Sequence, residues 1–209
     1  PHPAGISPRP RRSGMNPPRH LVLVGSMGAG KTTIGTLLSA ATGLPLVDND
    51  RVLTTTEGEN AAELARERGV ETLHDRECQQ LLTALAAPEP SVVGAAASTV
   101  EIPSCRAALG GHFVAWLRVS PEVAAERLDE AAHRRDLGPD PVGALRALAA
   151  RRDPLSATVD DVVLSKPWVV RNGWARSGLV STFHIDVTGG DRVFDLLDQV
   201  WSGTVEFPD

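Results

Sequence analysis

The chain has 209 residues, enough for one domain with an ample core, or for one domain and a small appendage. A net charge of −5 removes any global electrostatic case for nucleic acid or an anionic membrane as partner. The only cysteines, Cys78 and Cys105, fit no metal-ligand or C-x-x-C spacing, and no apolar run approaches a membrane span, so free thiols in a reducing cytoplasm are expected.

Residues 1–18, PHPAGISPRPRRSGMNPP, are Pro-rich and basic and lack the apolar centre of a signal peptide. They read as a disordered leader ahead of a single domain over 19–209. The apolar run Leu21 to Val24 then feeds straight into Gly25-Ser26-Met27-Gly28-Ala29-Gly30-Lys31-Thr32, which satisfies the P-loop pattern G-x-x-x-x-G-K-[ST]. Gly25, Gly28 and Gly30 let the backbone wrap a phosphate chain, so the amides from Gly28 and Ala29 to Thr32 and Thr33 can face inward as an anion nest. Lys31 brings a mobile positive charge to the β- and γ-phosphates, the Thr32 hydroxyl can ligate Mg²⁺, and the helix starting there adds its positive dipole end. A Gly-rich turn matching by chance would lack this strand-before, helix-after context. A bound nucleotide phosphate is therefore expected.

Ile34, Leu37, Leu38 and Ala41 have helical spacing over 31–42, and Gly43 stops that helix. Residues 44–47 form a short apolar strand ending in Asp48-Asn49-Asp50. Two carboxylates at i and i+2 on one strand end would project to the same side, toward the crevice in front of the P-loop. One could hold the Mg²⁺ shell and the other could orient or deprotonate an acceptor hydroxyl; the alternative is a polar turn capping a helix. Two amphipathic helices over 59–68 and 70–86 follow, separated by Gly69. Next come a strand over 91–94 running into Ala95-Ala96-Ala97-Ser98, a helix over 103–109, a buried strand over 112–119, and a helix opened by Pro121. The stretch 131–141, AAHRRDLGPDP, has no periodicity and reads as a loop that closes over substrates, or as a solvated linker. A helix over 142–152 leads into Arg151-Arg152-Asp153-Pro154. Residues 159–164 are a strand or a helix end. An insert over 165–181 carries Trp168 and Trp174, and a last strand (182–187), a Gly-Gly-Asp turn and a helix over 192–201 complete the chain.

This alternation predicts an α/β fold: a three-layer, doubly wound, parallel five-stranded sheet. The P-loop, the D-x-D of Asp48 and Asp50 one strand later, the Arg-bearing lid followed by R-x-P-L at Arg152–Leu155, and the strand, turn and closing helix together resemble the shikimate kinase family of small P-loop kinases. The likeness covers about residues 20–201. It implies ATP and Mg²⁺ as cofactors and phosphoryl transfer to a hydroxyl of a small carboxylated acceptor; a monomer is expected. It also implies that Lys31 holds the β/γ-phosphates and that Thr32 and Asp48 hold Mg²⁺, the latter through water. Asp50 would meet the acceptor hydroxyl, and Arg135 or Arg134 of the lid the transferring phosphoryl group. Arg152 would take the acceptor carboxylate, and Arg127 and the turn at Gly190 would border adenine.

The acceptor half departs from the family pattern. Ala95-Ala96-Ala97 stands where the family has a glycine triplet, and His74 where it has an arginine for the substrate carboxylate; Glu77 matches a family acidic position. Three readings stay open: a kinase of this type with another hydroxylated acceptor, shikimate kinase itself, and a nucleotide-binding switch without turnover.

Overall fold

The computed structural model describes residues 20–129, 137–160, 162–165, 169–170 and 185–186. All six residues of β1 (His20–Gly25) are buried, the signature of a central parallel strand covered on both faces. It lies between β3 (Ser91–Gly94) and β4 (Phe113–Arg118), with β2 (Leu46–Asp48) and β5 (Val162–Ser165) at the edges. Every pairing in this five-stranded sheet is parallel, in the order β2-β3-β1-β4-β5. Parallel neighbours need crossovers, which are supplied by α1 (Lys31–Thr42), α2 (Asn49–Glu57), α3 (Ala61–Arg68), α4 (Val70–Ala86), α5 (Pro103–Leu109), α6 (Pro121–Asp129) and α7 (Pro141–Ser156).

Because strand side chains alternate, one strand set feeds two cores. Leu21, Leu23, Val92, Ala115 and Leu117 meet Ile34 and Leu38 of α1. Val22, Val24, Val93, Val114 and Trp116 meet Cys78, Leu81 and Leu85 of α4 and Cys105 and Leu109 of α5. This is the three-layer, doubly wound arrangement expected. A smaller cluster, Leu53, Leu64 and Leu73, ties α2 and α3 to α4.

The helices predicted at 31–42, 70–86 and 103–109 and the strand at 91–94 coincide with α1, α4, α5 and β3. Three expectations change. First, the strand ends at Asp48, and Asn49 and Asp50 are not part of its end. Asp48 Oδ1 accepts from the amides of Asp50 (3.1 Å) and Arg51 (3.4 Å), so it caps α2 and leaves Asp50 in the first helical turn. Second, α7 does not stop at Arg152 but runs through Pro154 to Ser156. Proline removes its own amide and crowds the carbonyl four residues back, yet the Ala157 amide bonding Asp153 O at 3.0 Å completes the next turn. Third, the fifth strand is Val162–Ser165; Ile185–Asp186 (β7) instead pairs antiparallel with Val169–Val170 (β6) in a two-stranded ribbon. Both cysteines are free thiols, as expected, and they meet: Cys105 Sγ lies 2.7 Å from Cys78 Sγ as a buried pair, and burial first, then the neighbouring thiol, pushes Cys105 up to about 12. The leader, the 130–136 part of the lid, Trp168, Trp174 and the terminal helix lie outside the described residues.

Candidate active site

The carboxyl ends of three neighbouring strands converge. Gly94 at the end of β3 is in register with Leu23 of β1 on one side and Asp48 of β2 on the other. Ligands of open α/β sheets bind at this end, and the phosphate loop leaves β1 there.

The loop is shaped by glycines where other residues would fail. Gly28 has φ +74°, and a Cβ on it would stand 2.6 Å from the Ala124 carbonyl of α6. Gly25 has φ +149°, and its Cβ would meet the Leu117 carbonyl of β4 at 2.5 Å. Gly30, at φ +94°, is the N-cap of α1 and offers no side-chain oxygen to its first amides. The amides from Lys31 to Thr33 open the helix at its positive end, where an anion is favoured. Ala29 is buried in the core, Thr32 is half-buried and Thr33 is exposed. Lys31 Nζ donates to Gly25 O and Ser26 O, both at 2.9 Å, which holds the ammonium across the loop's opening segment. Arg127 Nη1 donates to Gly28 O at 3.2 Å and Ala29 O at 3.5 Å. Its guanidinium thus braces the loop backbone, a role that the sequence reading of Arg127 as an adenine neighbour did not include.

The second half of the site is built from side chains on separate elements. Asp48 is buried, and while Oδ1 caps α2 its Oδ2 lies on the Gly94 side. A carboxylate and the Thr32 hydroxyl are hard oxygen donors, the type that Mg²⁺ takes, so this pair fits the ion. Asp50 is exposed at the start of α2, and His74 is half-buried on α4. Ala95 and Ala96 are buried, and Ala97 lines a cavity together with Gly25, Ser26, Met27, Trp116 and Arg152. That cavity joins the phosphate loop to α7. Arg135 and Gly190 lie outside the described residues.

Three residues carry more of this half than their sequence signals suggested. Glu77, one turn after His74 on α4, is 7 % exposed and accepts a short hydrogen bond from the Ser98 hydroxyl. Burial, reinforced by the negative charge of Asp50, pushes its carboxyl up to about 7; the Ser98 bond and the charges of Arg152 and Lys31 oppose the rise. Glu77 therefore sits electrostatically among α1, α2 and α7. Another is Glu101, which ends a 3-10 turn (Thr99–Glu101) after the alanine run and leads to the last of the three, Arg152. Its Oε2 accepts from Arg152 Nη2 at 3.0 Å, and its Oε1 from Arg151 Nε at 3.0 Å. Burial would raise Glu101, but Arg152 and then Arg151 hold it below the usual carboxylate range. Arg152 itself is 8 % exposed, and its Nε, also buried, has no hydrogen-bond partner among the described residues. Nothing in local sequence pairs residue 77 with 98, or 101 with 152; only the fold does.

The sequence profile described as shikimate kinase matches residues 27–167. The chain belongs to the shikimate kinase family. A shikimate kinase from Symbiobacterium thermophilum is 37 % identical over 141 residues, covering 66 % of this chain and 81 % of the relative. One from Mycobacterium leprae is 35 % identical over 177 residues, covering 82 % and 87 %. In fold, the chain is similar to the solved structure of an Acinetobacter baumannii shikimate kinase in complex with shikimate, with TM-score 0.67 and 24 % identity over 76 % of this chain and 88 % of that one. A shikimate kinase from Bacteroides thetaiotaomicron aligns with TM-score 0.62 at 22 % identity, covering 69 % and 84 %. A shorter match, to type VI secretion system protein DotU, falls on residues 146–206 and spans too little of the chain to set beside the first. As a shikimate kinase family member, the protein is an ATP- and Mg²⁺-dependent phosphotransferase with the P-loop kinase fold, acting on a hydroxyl of a small polar acceptor. Among the described residues no helix is long and apolar enough to cross a membrane.

Proposed function

We propose that the acceptor is shikimate, and that this chain moves the γ-phosphoryl group of ATP to one of its ring hydroxyls. The observation that carries this reading is Arg152: a buried guanidinium in the wall of a cavity that also touches the phosphate loop, with one N–H still unpaired. Such a group matches an acceptor that brings a carboxylate within reach of the transferring phosphate. The relatives named above, which are shikimate kinases, support the same choice.

In this reading Lys31 and the amides of Gly28 to Thr33 hold the ATP phosphates, and Thr32 and Asp48 hold Mg²⁺, which neutralises charge on the phosphate oxygens. Asp50 orients or deprotonates the acceptor hydroxyl, while Ala96, His74 and Arg152 shape and charge the acceptor's seat. Arg135 reaches the transferring group, and Arg127 and Gly190 border the nucleotide base; for Arg135 and Gly190 the support is the family resemblance alone. Residues 19–209 act as one kinase domain behind the 1–18 leader, with the lid at about 131–141 set between α6 and α7. The chain works as a cytoplasmic monomer without nucleic-acid or membrane partners; its charge supports the absence of those partners and its cysteine content the cytoplasm.

A coupled assay of ADP release with ATP, Mg²⁺ and shikimate tests this, with Asp50→Asn beside the parent. Turnover is expected for the parent and a loss of about 10²-fold for Asp50→Asn, with ATP affinity nearly unchanged. ATP binding without turnover on shikimate would overturn the acceptor; collapse of ATP affinity in Asp50→Asn would move Asp50 into the metal shell.

A further inference from the structure

Arg152 has a long side chain with several rotatable bonds, and a buried guanidinium is useful to an acceptor only if its direction is fixed. Its own helix does not fix it. The contact that does comes from 51 residues earlier, where Glu101 Oε2 takes Nη2 at 3.0 Å. This pins one corner of the guanidinium and leaves the Nε–H, buried and without a hydrogen-bond partner among the described residues, as a donor for another group. Glu101 does not cancel the charge it pins. The same carboxylate is shared with Arg151, at 2.9 Å from Nη2, so two guanidiniums meet one carboxylate and the trio keeps a net positive charge. Arg151 is 64 % exposed in its side chain and Arg152 10 %, so solvent screens the first member and not the second.

We propose that Glu101 is a positioning residue for acceptor binding: from the 3-10 turn beyond the alanine run, it holds the buried Arg152 guanidinium with a free N–H edge for the acceptor's carboxylate. This rests on the acceptor reading given above. Glu101 needs no contact with the acceptor, nor with the phosphate loop. Its loss therefore acts on one substrate and spares the other.

Steady-state kinetics of Glu101→Gln, Glu101→Asp and Arg151→Ala, with ATP and shikimate varied in turn, decide it. Glu101→Gln keeps the shape of the side chain and removes the charge that pins Arg152. Its KM for shikimate is expected to rise about tenfold or more, as for a lost charge-assisted hydrogen bond, with kcat and the KM for ATP within about threefold of the parent. Glu101→Asp restores the charge at shorter reach and should recover part of the loss. Arg151→Ala removes only the screened partner and should stay within about twofold. A shikimate KM unchanged in Glu101→Gln overturns the inference while leaving the acceptor reading intact. So does a parallel change in kcat and both KM values with a lowered Tm, the mark of a merely structural role. A parent that does not phosphorylate shikimate overturns the acceptor reading, and the inference with it.

Discussion

The two halves of the site are made of different material. The phosphate half is almost all backbone: amides at the start of α1, and glycines at which a Cβ would stand only 2.5 and 2.6 Å from carbonyls of β4 and α6. The acceptor half is made of side chains, drawn from α2, α4, the segment after β3 and α7, and several of them are buried charges. A backbone site is written as a local motif and tolerates little change. A side-chain site is assembled by tertiary contacts and can be rewritten one residue at a time. In the proposed acceptor seat, Ala95–Ala97 and His74 stand where the resemblance implies a glycine triplet and an arginine, and the contacts Glu77–Ser98 and Glu101–Arg152 are tertiary pairs of this kind.

The contrast is sharpest at Lys31, whose ammonium brings a side-chain charge to a half otherwise built mainly of backbone. Lys31→Ala is expected to lower kcat by about 10³-fold while the protein still melts cooperatively. Activity within a few-fold of the parent would mean that the loop's backbone suffices.

Next in size is Glu77, which tests the claim that the acceptor half stores buried charge. Its carboxyl is raised from an ordinary 4.5 to about 7, chiefly by burial. Between those values the folded state binds more protons than the unfolded one, so this group's contribution to stability falls as pH rises through that window. Glutamine does not titrate. Relative to the parent, Glu77→Gln is therefore expected to gain roughly 3 kcal/mol in stability between about pH 4 and pH 8, read from urea unfolding at both. A stability difference independent of pH would remove burial as the cause.

The smallest effects compare two glycines with the same φ of +74°. A Cβ added at Gly43 would have nothing within 4 Å, whereas one at Gly28 would face the Ala124 carbonyl at 2.6 Å. Gly43→Ala should cost about 1 kcal/mol of left-handed strain and leave ATP binding intact. Gly28→Ala adds a backbone clash to the same strain, should cost more than about 2 kcal/mol, and should weaken ATP binding measured by calorimetry. Equal losses would show that conformation alone, and not close approach, reserves position 28 for glycine.

Much of the fold was legible because its signals are local. Gly43 ends α1, Gly69 separates α3 from α4, and Pro103 and Pro121 open α5 and α6. Helix α2 was missed because an aspartate two residues from another reads equally as a strand end or a cap, and the cap prevailed through amides that sequence cannot display. The end of α7 was not legible because a proline disfavours a helix interior, whereas here Pro154 lies inside the last turns of the helix. In the site, the loop and its cation were readable from spacing. The Glu101 fork was not, since its partners lie 50 and 51 residues away. Glu77 was visible as an acidic position, but its burial, and hence its altered acidity, was not.

The seam between the phosphate loop and α6 carries one further consequence. At Gly28 and Ala124 no side chain separates the two backbones, and Arg127 of the same helix grips the loop carbonyls from the side. The loop is thus cast against a mould that is not part of its motif. α6 contributes to nucleotide recognition by fixing the curvature of another segment, so residues of this helix that touch no phosphate still belong to the phosphate site's design.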